Sequence, residues 1–332
     1  MPSGVRPPAL TPYPIDDVPA ALKGGVVAVG NFDGLHGGHR TLLATARKEA
    51  ARRGVPALVL AFEPHPRTIL RPGAPVFRLT PLAARARLLA AIGMDGLVVA
   101  PFSRDFAAKT AGAFIEEILV GRLKIAAAVV GANFHFGKGR EGTPALLAEA
   151  GARLGFAVIV VPPVADDSNA VISSTAVRDD LAAGNVAAAN ARLGYRFFVV
   201  GEVVHGDHRG RELGFPTANI RLGDDCRLRH GIYAVRVRRA DGTVLDGVAS
   251  YGRRPTFDDG PPLLEVFLFD FSGDLYGETV VVSFIDWLRP ELKFSSVDEL
   301  VAAMHKDVAD ARARLAAEGQ GTALDQAMAG PA

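Results

Sequence analysis

Five short runs in the first half of the chain, residues 26–30, 57–62, 96–100, 126–131 and 157–161, are apolar or glycine at every position rather than at alternate ones. A strand with one wet face alternates, whereas a strand apolar on both faces must be covered on both, as in parallel sheets flanked by helices. Stretches of helical spacing separate the runs. Residues 24–186 are therefore expected to form a doubly wound, Rossmann-like α/β domain with a parallel sheet. Such sheets bind ligands beyond the carboxyl ends of their strands, and three loops start there: at Gly30 and Asn31, at Phe62 with His65, and at Gly131 with Asn133.

After Gly184 the pattern changes to closely spaced strands and turns, over residues 198–204, 218–222, 233–238, 244–250, 263–269 and 279–284. Asp241 and Gly242 mark a tight hairpin between two of them. Six short strands suggest a small all-β barrel or sandwich over residues 187–318. It ends in a helix whose one face carries Val297, Leu300, Val301, Met304, Val308, Ala311 and Leu315. Residues 1–23 and 319–332 read as loose tails.

A length of 332 residues fits two such domains. With 37 basic and 36 acidic residues, the net charge of +1 argues against a nucleic-acid or membrane-surface partner. Small anionic ligands remain open through local sites. The single cysteine, Cys226, excludes a disulfide framework and fits a reducing cytoplasm. No run approaches the length of a membrane span, and prolines interrupt the N-terminal segment where a signal peptide would need an apolar core. A cytoplasmic monomer or weak homo-oligomer is the expectation.

Residues 30–39 read GNFDGLHGGH, between an apolar run and a helix-like stretch. A glycine-rich turn from strand to helix leaves the first helical N–H groups pointing outward, where a phosphate can accept them. Gly30, Asn31, Phe32, Asp33, Gly34 and Gly38 shape this turn, and His36 and His39 add two imidazole donors. The string lacks the Gly-Lys-Ser/Thr of a Walker loop and the GxGxxG of a dinucleotide site. It resembles instead the HxGH motif of the nucleotidyltransferase superfamily; helix capping is the alternative role for the two histidines.

Residues 201–222 form a second specific string. Gly206, Gly210 and Gly214 punctuate a basic loop with His208, Arg209 and Arg211 that can close over an anion, and Pro216 stiffens the approach to Thr217 and Asn219. Two residues apart in extended chain, Thr217 and Asn219 share a face, so they can meet one hard cation such as Mg²⁺ or form a turn's own hydrogen-bonding pair. Glu265 stands in LLEVFLFDF, on a strand face continued by Phe267 and Phe269. A carboxylate there is costly unless paired with an arginine or used, and such surroundings favour a general base.

Together these strings resemble the bacterial bifunctional riboflavin kinase/FAD synthetases, over about residues 24–314. GFPTAN with the downstream strand glutamate resembles the riboflavin kinase domain; ISSTAVR (172–178), RHGIYAV (229–235), GRRPTF (252–257) and DLYG (274–277) follow the family's order. The resemblance implies an N-terminal nucleotidyltransferase domain and a C-terminal six-stranded antiparallel β-barrel with a terminal helix. It implies that the barrel phosphorylates riboflavin to FMN with Mg²⁺ and ATP, and that the N-terminal domain adenylylates FMN to FAD with release of pyrophosphate. On it, His36 and His39 stabilise the transferring phosphates, Ser173, Ser174 and Thr175 cap a helix at the polyphosphate, and Arg178 adds charge. Asn31, Asp33 and Asn133 are further candidates for holding nucleotide, metal or flavin phosphate, with Phe62, His65, Asn133 and Arg289 on the flavin side. Glu265 is the base, Thr217 and Asn219 hold Mg·ATP, and the 206–214 loop covers the phosphates.

The chain departs from the commoner pattern at Ser250 and Tyr251, Phe267, Asn133, and Tyr195 with Arg196, which bears on flavin affinity and metal binding. Two other readings are a nucleotidyltransferase for another phosphorylated metabolite, and a flavin-binding regulator that has lost catalysis.

Overall fold

All five apolar runs enter one parallel sheet, which also takes a strand from the N-terminal segment. The strands are β1 (Pro12–Pro14), β2 (Val26–Val29), β3 (Ala57–Glu63), β4 (Gly96–Pro101), β5 (Ala127–Gly131) and β6 (Ala157–Val161), in the spatial order β1-β4-β3-β2-β5-β6. The computed structural model describes residues 9–74, 76–166, 169–206, 210, 213–252 and 262–328. Its two compact units are Met1–Ser174 and Thr175–Ala332.

In the first unit the central strands are shielded on both faces: Val26, Val27, Ala28, Leu58, Val59 and Leu60 are all fully buried. From β2 the chain moves outward through β3 to β4, then returns to the opposite side of β2 as β5. Strand order therefore reverses between β2 and β5, the place where the loops of a parallel sheet part to admit a ligand. Helices α1 (Gly37–Arg53), α2 (Pro66–Leu70), α3 (Leu82–Ile92) and α4 (Pro144–Leu154) lie along the connections. The C-cap Gly54 takes φ 67°, and Arg52 and Arg53 in the last turn oppose the negative end of the α1 dipole.

The N-terminal segment is not wholly the loose tail the sequence implied. β1 pairs in parallel with β4, Ile15 N–H donates to Val99 O at 3.0 Å, and Ile15 and Val18 are buried. Its two prolines stand at the sheet edge, where a missing N–H is harmless.

The second unit holds α5 (Ser174–Ala183), α6 (Val186–Leu193) and a closed barrel of β7 (Phe198–Val204), β8 (Thr217–Arg221), β9 (Gly231–Arg238), β10 (Val244–Gly252), β11 (Leu263–Leu268) and β12 (Thr279–Arg289). Every barrel pairing is antiparallel. Gly242 takes φ 90° in the expected β9–β10 hairpin. Inward residues such as Ile220, Tyr233, Val235, Leu264 and Phe284 fill the barrel. Outside it, Ala234, Val248, Phe269 and Ile285 pack on Ala311 and Leu315 of α7 (Val297–Ala317). Ser296 caps α7 by accepting from Glu299 N–H, and Asp298 and Glu299 oppose the positive end of its dipole.

The units divide at Ser174 rather than at the expected residue 186, because α5 and α6 pack with the barrel. Arg229 N–H donates to Leu181 O, and the Asn190 side chain joins Phe284 O to Phe197 N–H. The last residues, expected to be a tail, include α8 (Ala323–Ala327), held by a capping box at Thr322 and Asp325. Asp325 also accepts from Arg196 N–H at 2.7 Å, and Met328 is buried. Among the described residues no helix is long and apolar enough to cross a membrane.

Candidate functional site

The loop after β2 is wound tightly, with positive φ at Phe32, Gly34 and Leu35. Phe32 and Asp33 turn inward and are buried. Asp33 accepts from Leu79 N–H at 3.2 Å, Thr80 N–H at 2.8 Å and Thr80 Oγ1 at 3.2 Å, while Thr80 Oγ1 accepts Gly34 N–H at 2.9 Å. The Asp33 carboxylate thus serves as an anchor for the loop. Gly34 N–H is likewise used within the protein. Gly37 and Gly38 remain at the open start of α1 with no amide partner among the described residues.

His36 caps α1, its Nδ1 accepting from His39 N–H, so the hydrogen of the neutral ring lies on Nε2. The two imidazoles stack at 3.7 Å between centroids, and Phe32 meets His39 edge-on at 5.2 Å. Gly38 permits this approach: a Cβ there would lie 3.3 Å from the His36 ring and 3.4 Å from Ile172 O. Ser174 Oγ donates to Asp33 O at 2.8 Å, bringing Ser174 to the loop. On α5 Thr175 is exposed and Arg178 half-buried.

Gly30 and Asn31 also open onto a cavity of about 480 Å³ in the same unit, as do Phe62 and Asn133. The sequence reading missed its character. Phe102, Phe106, Phe114, Phe134 and Phe136 join Phe62 to make an aromatic wall, with centroids 5.3–6.3 Å apart along the chain of neighbours. Clustering of phenylalanines just past the ends of β4 and β5 was the available signal. His65 is outside this lining; its Nε2 lies 3.3 Å from Asn31 Nδ2. Arg85, fully buried, donates to Asn31 O at 2.9 Å and to Glu63, which also receives a two-pronged bond from Arg78 at 2.9 and 2.7 Å. Burial works against the Glu63 carboxylate, but Arg78 and Arg85 outweigh it and hold the carboxyl below its ordinary range.

In the barrel the register aligns the predicted residues. Asn219 pairs with Glu265, Glu265 with Ser250, Ser250 with Ile232, and Ile232 with Arg289, a row across five strands on the outward face. Thr217, two residues before Asn219 and paired with Phe267, shares that face. Gly206 packs directly on the Asn219 amide, where a Cβ would be 2.3 Å from Nδ2. Gly214 takes φ 85°, and Gly210 O accepts Phe215 N–H at 2.7 Å. Arg209 and Arg211, like His208 and most of GRRPTF, lie outside the described residues.

Glu265, Ser250, Thr217 and Arg289 line a cavity of about 520 Å³ between the barrel and α7, walled by Phe215, Phe267 and Phe294. Thr217 also lines a second cavity of about 490 Å³, with Pro216, Ser272, Asp274 and Tyr276. His205 stacks on Tyr276 at 3.9 Å. Arg289 is no loose surface residue. Its guanidinium grips buried Asp307 of α7 at 2.7 and 2.6 Å and so closes one end of the first cavity. Of the departures, Ser250 stands beside Glu265, Phe267 lines the cavity, and Tyr251 faces the barrel core. Thr217 and Asn219 present neutral oxygens of the kind a hard cation takes, two ligands rather than a full shell. Among the described residues no cluster of three His, Cys, Asp or Glu side chains offers another metal site.

Two family models match the chain, FAD synthetase over residues 18–176 and riboflavin kinase over residues 193–315. The bifunctional riboflavin kinase/FMN adenylyltransferase of Escherichia coli K12 is 42% identical over 293 residues, 88% of this chain and 93% of that protein. The enzyme of the same name from Listeria monocytogenes is 38% identical over 87% of this chain and 91% of its own length. A solved structure from Streptococcus pneumoniae, described as a macrolide-efflux protein, superposes with a TM-score of 0.80 at 35% identity and covers 90% of this chain and 98% of its own.

Proposed function

The chain belongs to the bifunctional riboflavin kinase/FMN adenylyltransferase family, and from that premise we infer how its residues divide the two steps. The C-terminal unit phosphorylates riboflavin to FMN with ATP; the N-terminal unit adenylylates FMN to FAD and releases pyrophosphate. Both family models match in this order, which argues against the barrel being an accessory to some other nucleotidyltransferase.

For the kinase step, the observation that carries the assignment is that Thr217 lines both barrel cavities while Glu265 lines one of them, directly beside Asn219. The aromatic-walled cavity suits the riboflavin ring, and the cavity with Ser272 and Asp274 suits ATP. Glu265 takes the proton of the terminal ribityl hydroxyl as that oxygen attacks the γ-phosphorus and ADP departs. Thr217 and Asn219 would hold Mg²⁺ with the ATP phosphates, and the ion would supply charge neutralisation there. Gly206, Gly210 and Gly214 let the preceding loop, with Arg209 and Arg211, come close to the phosphates.

For the adenylyl step, an FMN phosphate oxygen attacks the α-phosphorus of ATP. The unpaired start of α1, the His36 Nε2–H and His39 donate to the charge that develops on the phosphates. Ser173 and Ser174 extend the polyphosphate site, and the ISSTAVR motif assigns Thr175 and Arg178 to the same step. The phenylalanine-walled cavity accepts the isoalloxazine ring, with Asn31 at the phosphate end and Asn133 at the rim. In this reading Asp33, Phe32 and Gly34 shape the loop, and His65 acts through Asn31. A cytoplasmic site of action, consistent with the one buried cysteine, and a monomeric or weakly associating chain belong to the same proposal.

The test is chromatographic separation of products after incubation with riboflavin, ATP and Mg²⁺, and again from FMN. FAD is expected in both. No product in either, with flavin still bound, would identify a regulator that has lost catalysis.

A further inference from the structure

Residues 290–294 close one side of the apolar barrel cavity and bring the carboxylate of Glu291 into its lining. Arg289, its neighbour, is committed to Asp307. Glu291 makes no hydrogen bond among the described residues, and its one ion-pair contact among them is the His230 imidazole, with Nδ1 3.9 Å from Oε2. Burial pushes the Glu291 carboxyl up, and His230 offsets this only in part. A carboxylate against apolar surface is costly until something donates to it.

The backbone prepares this placement. The Glu291 carboxylate rests on the Cα of Gly252, where a Cβ would come within 2.0 Å of Oε1 and 2.6 Å of Oε2. Gly252 has no positive φ, so its missing side chain serves the carboxylate and not a turn. What Glu291 lacks, among the described residues, is a donor within hydrogen-bond distance. An isoalloxazine ring carries one N–H, at N3, on an otherwise apolar or hydrogen-bond-accepting body. We propose that Glu291 accepts the N3–H of riboflavin and thereby makes the kinase site selective for flavins unsubstituted at N3. This deepens the kinase assignment above and rests on reading this cavity as the riboflavin site.

The experiment compares riboflavin with 3-methylriboflavin as kinase substrates of the full chain and four variants. Hydrogen bonds to a charged acceptor predict that the wild-type protein prefers riboflavin by ~10–100-fold in kcat/KM. Glu291→Ala should raise the riboflavin KM by a similar factor, far more than it lowers kcat, and bring the preference close to unity. Glu291→Gln keeps an oxygen acceptor and should retain part of the preference. Gly252→Ala leaves every charge in place but displaces the carboxylate, and should erode the preference as well. A wild-type protein indifferent to N3 methylation, or an undiminished preference in Glu291→Ala, overturns the assignment of Glu291. Met304→Trp, which fills the cavity, separates the two levels: an unchanged riboflavin KM there overturns the cavity reading itself. FMN adenylylation by each preparation calibrates the amount of intact protein.

Discussion

Glu265 of β11 stands directly opposite Asn219 of β8, in register on the cavity face of the barrel, with Ser250 on its other side. Strand neighbours on both flanks give the carboxylate a direction set by the barrel itself, and rigid elements position reacting groups better than loops do. In Glu265→Gln the proposed base is gone while size and shape remain. FMN formation should fall by ~10²–10⁴-fold and conversion of FMN to FAD should be unaffected. Product chromatography from each flavin checks this, and undiminished kinase turnover removes Glu265 as the base.

His39→Ala should give the opposite pattern. Losing one donor to the developing phosphate charge is expected to slow FAD formation from FMN by ~10²–10³-fold, with the kinase step intact. A normal adenylylation rate in this variant would mean that the stacked pair with His36 serves only to start α1.

Thr80→Val probes the loop anchor. Thr80 is fully buried and its hydroxyl both accepts from Gly34 and donates to Asp33, so its removal should cost about 1–3 kcal/mol. The unfolding midpoint of the N-terminal unit should drop and adenylylation weaken, while the kinase keeps its rate. Denaturant unfolding together with both assays tests this.

Glu63 predicts a pH dependence with a definite sign. Its folded-state carboxyl is held below the ordinary value, so its contribution to stability is full above the unfolded pKa of about 4.3 and is lost as pH falls through the lower folded value. In Glu63→Gln the acid limb of the stability profile should be shallower below about pH 4 than in the wild type. Urea midpoints measured at successive pH values give the slope; parallel profiles would show that Arg78 and Arg85 do not depend on this charge.

Asp307→Asn tests whether the Arg289 clasp shapes the cavity proposed for riboflavin. Breaking a bidentate pair with a buried member costs on the order of 3 kcal/mol and frees α7 from the end of β12. The riboflavin KM should rise more than kcat falls, as steady-state kinetics would show, and the adenylyl step should not change.

Much of the chemistry was legible because it is local. Residues 30–39 carry strand, turn, cap and helix start within ten positions, and the spacing of Thr217 and Asn219 alone places them on one face of a strand. Glu265 stood out because a carboxylate interrupts an apolar strand. Other features left no local trace. Nothing near Asp33 marks it as an anchor rather than a ligand, since its donors lie at Leu79 and Thr80. The role of Arg289 was equally hidden, its partner being on a helix that begins several residues later. The terminal segments were misjudged for a related reason: β1 and α8 are short, and it is pairing with β4 and the bond from Arg196 that hold them.

The sequence by itself determined the two fold classes, because burial periodicity is written in adjacent residues, and its motif strings, through their resemblance to one family, carried the order of the two activities. Only the tertiary structure decided which distant residues share a site. The row from Asn219 through Glu265 and Ser250 to Arg289, and the phenylalanine wall beside Asn31, arise from strand order and register. A shift of one residue in either would turn the same side chains to the opposite face.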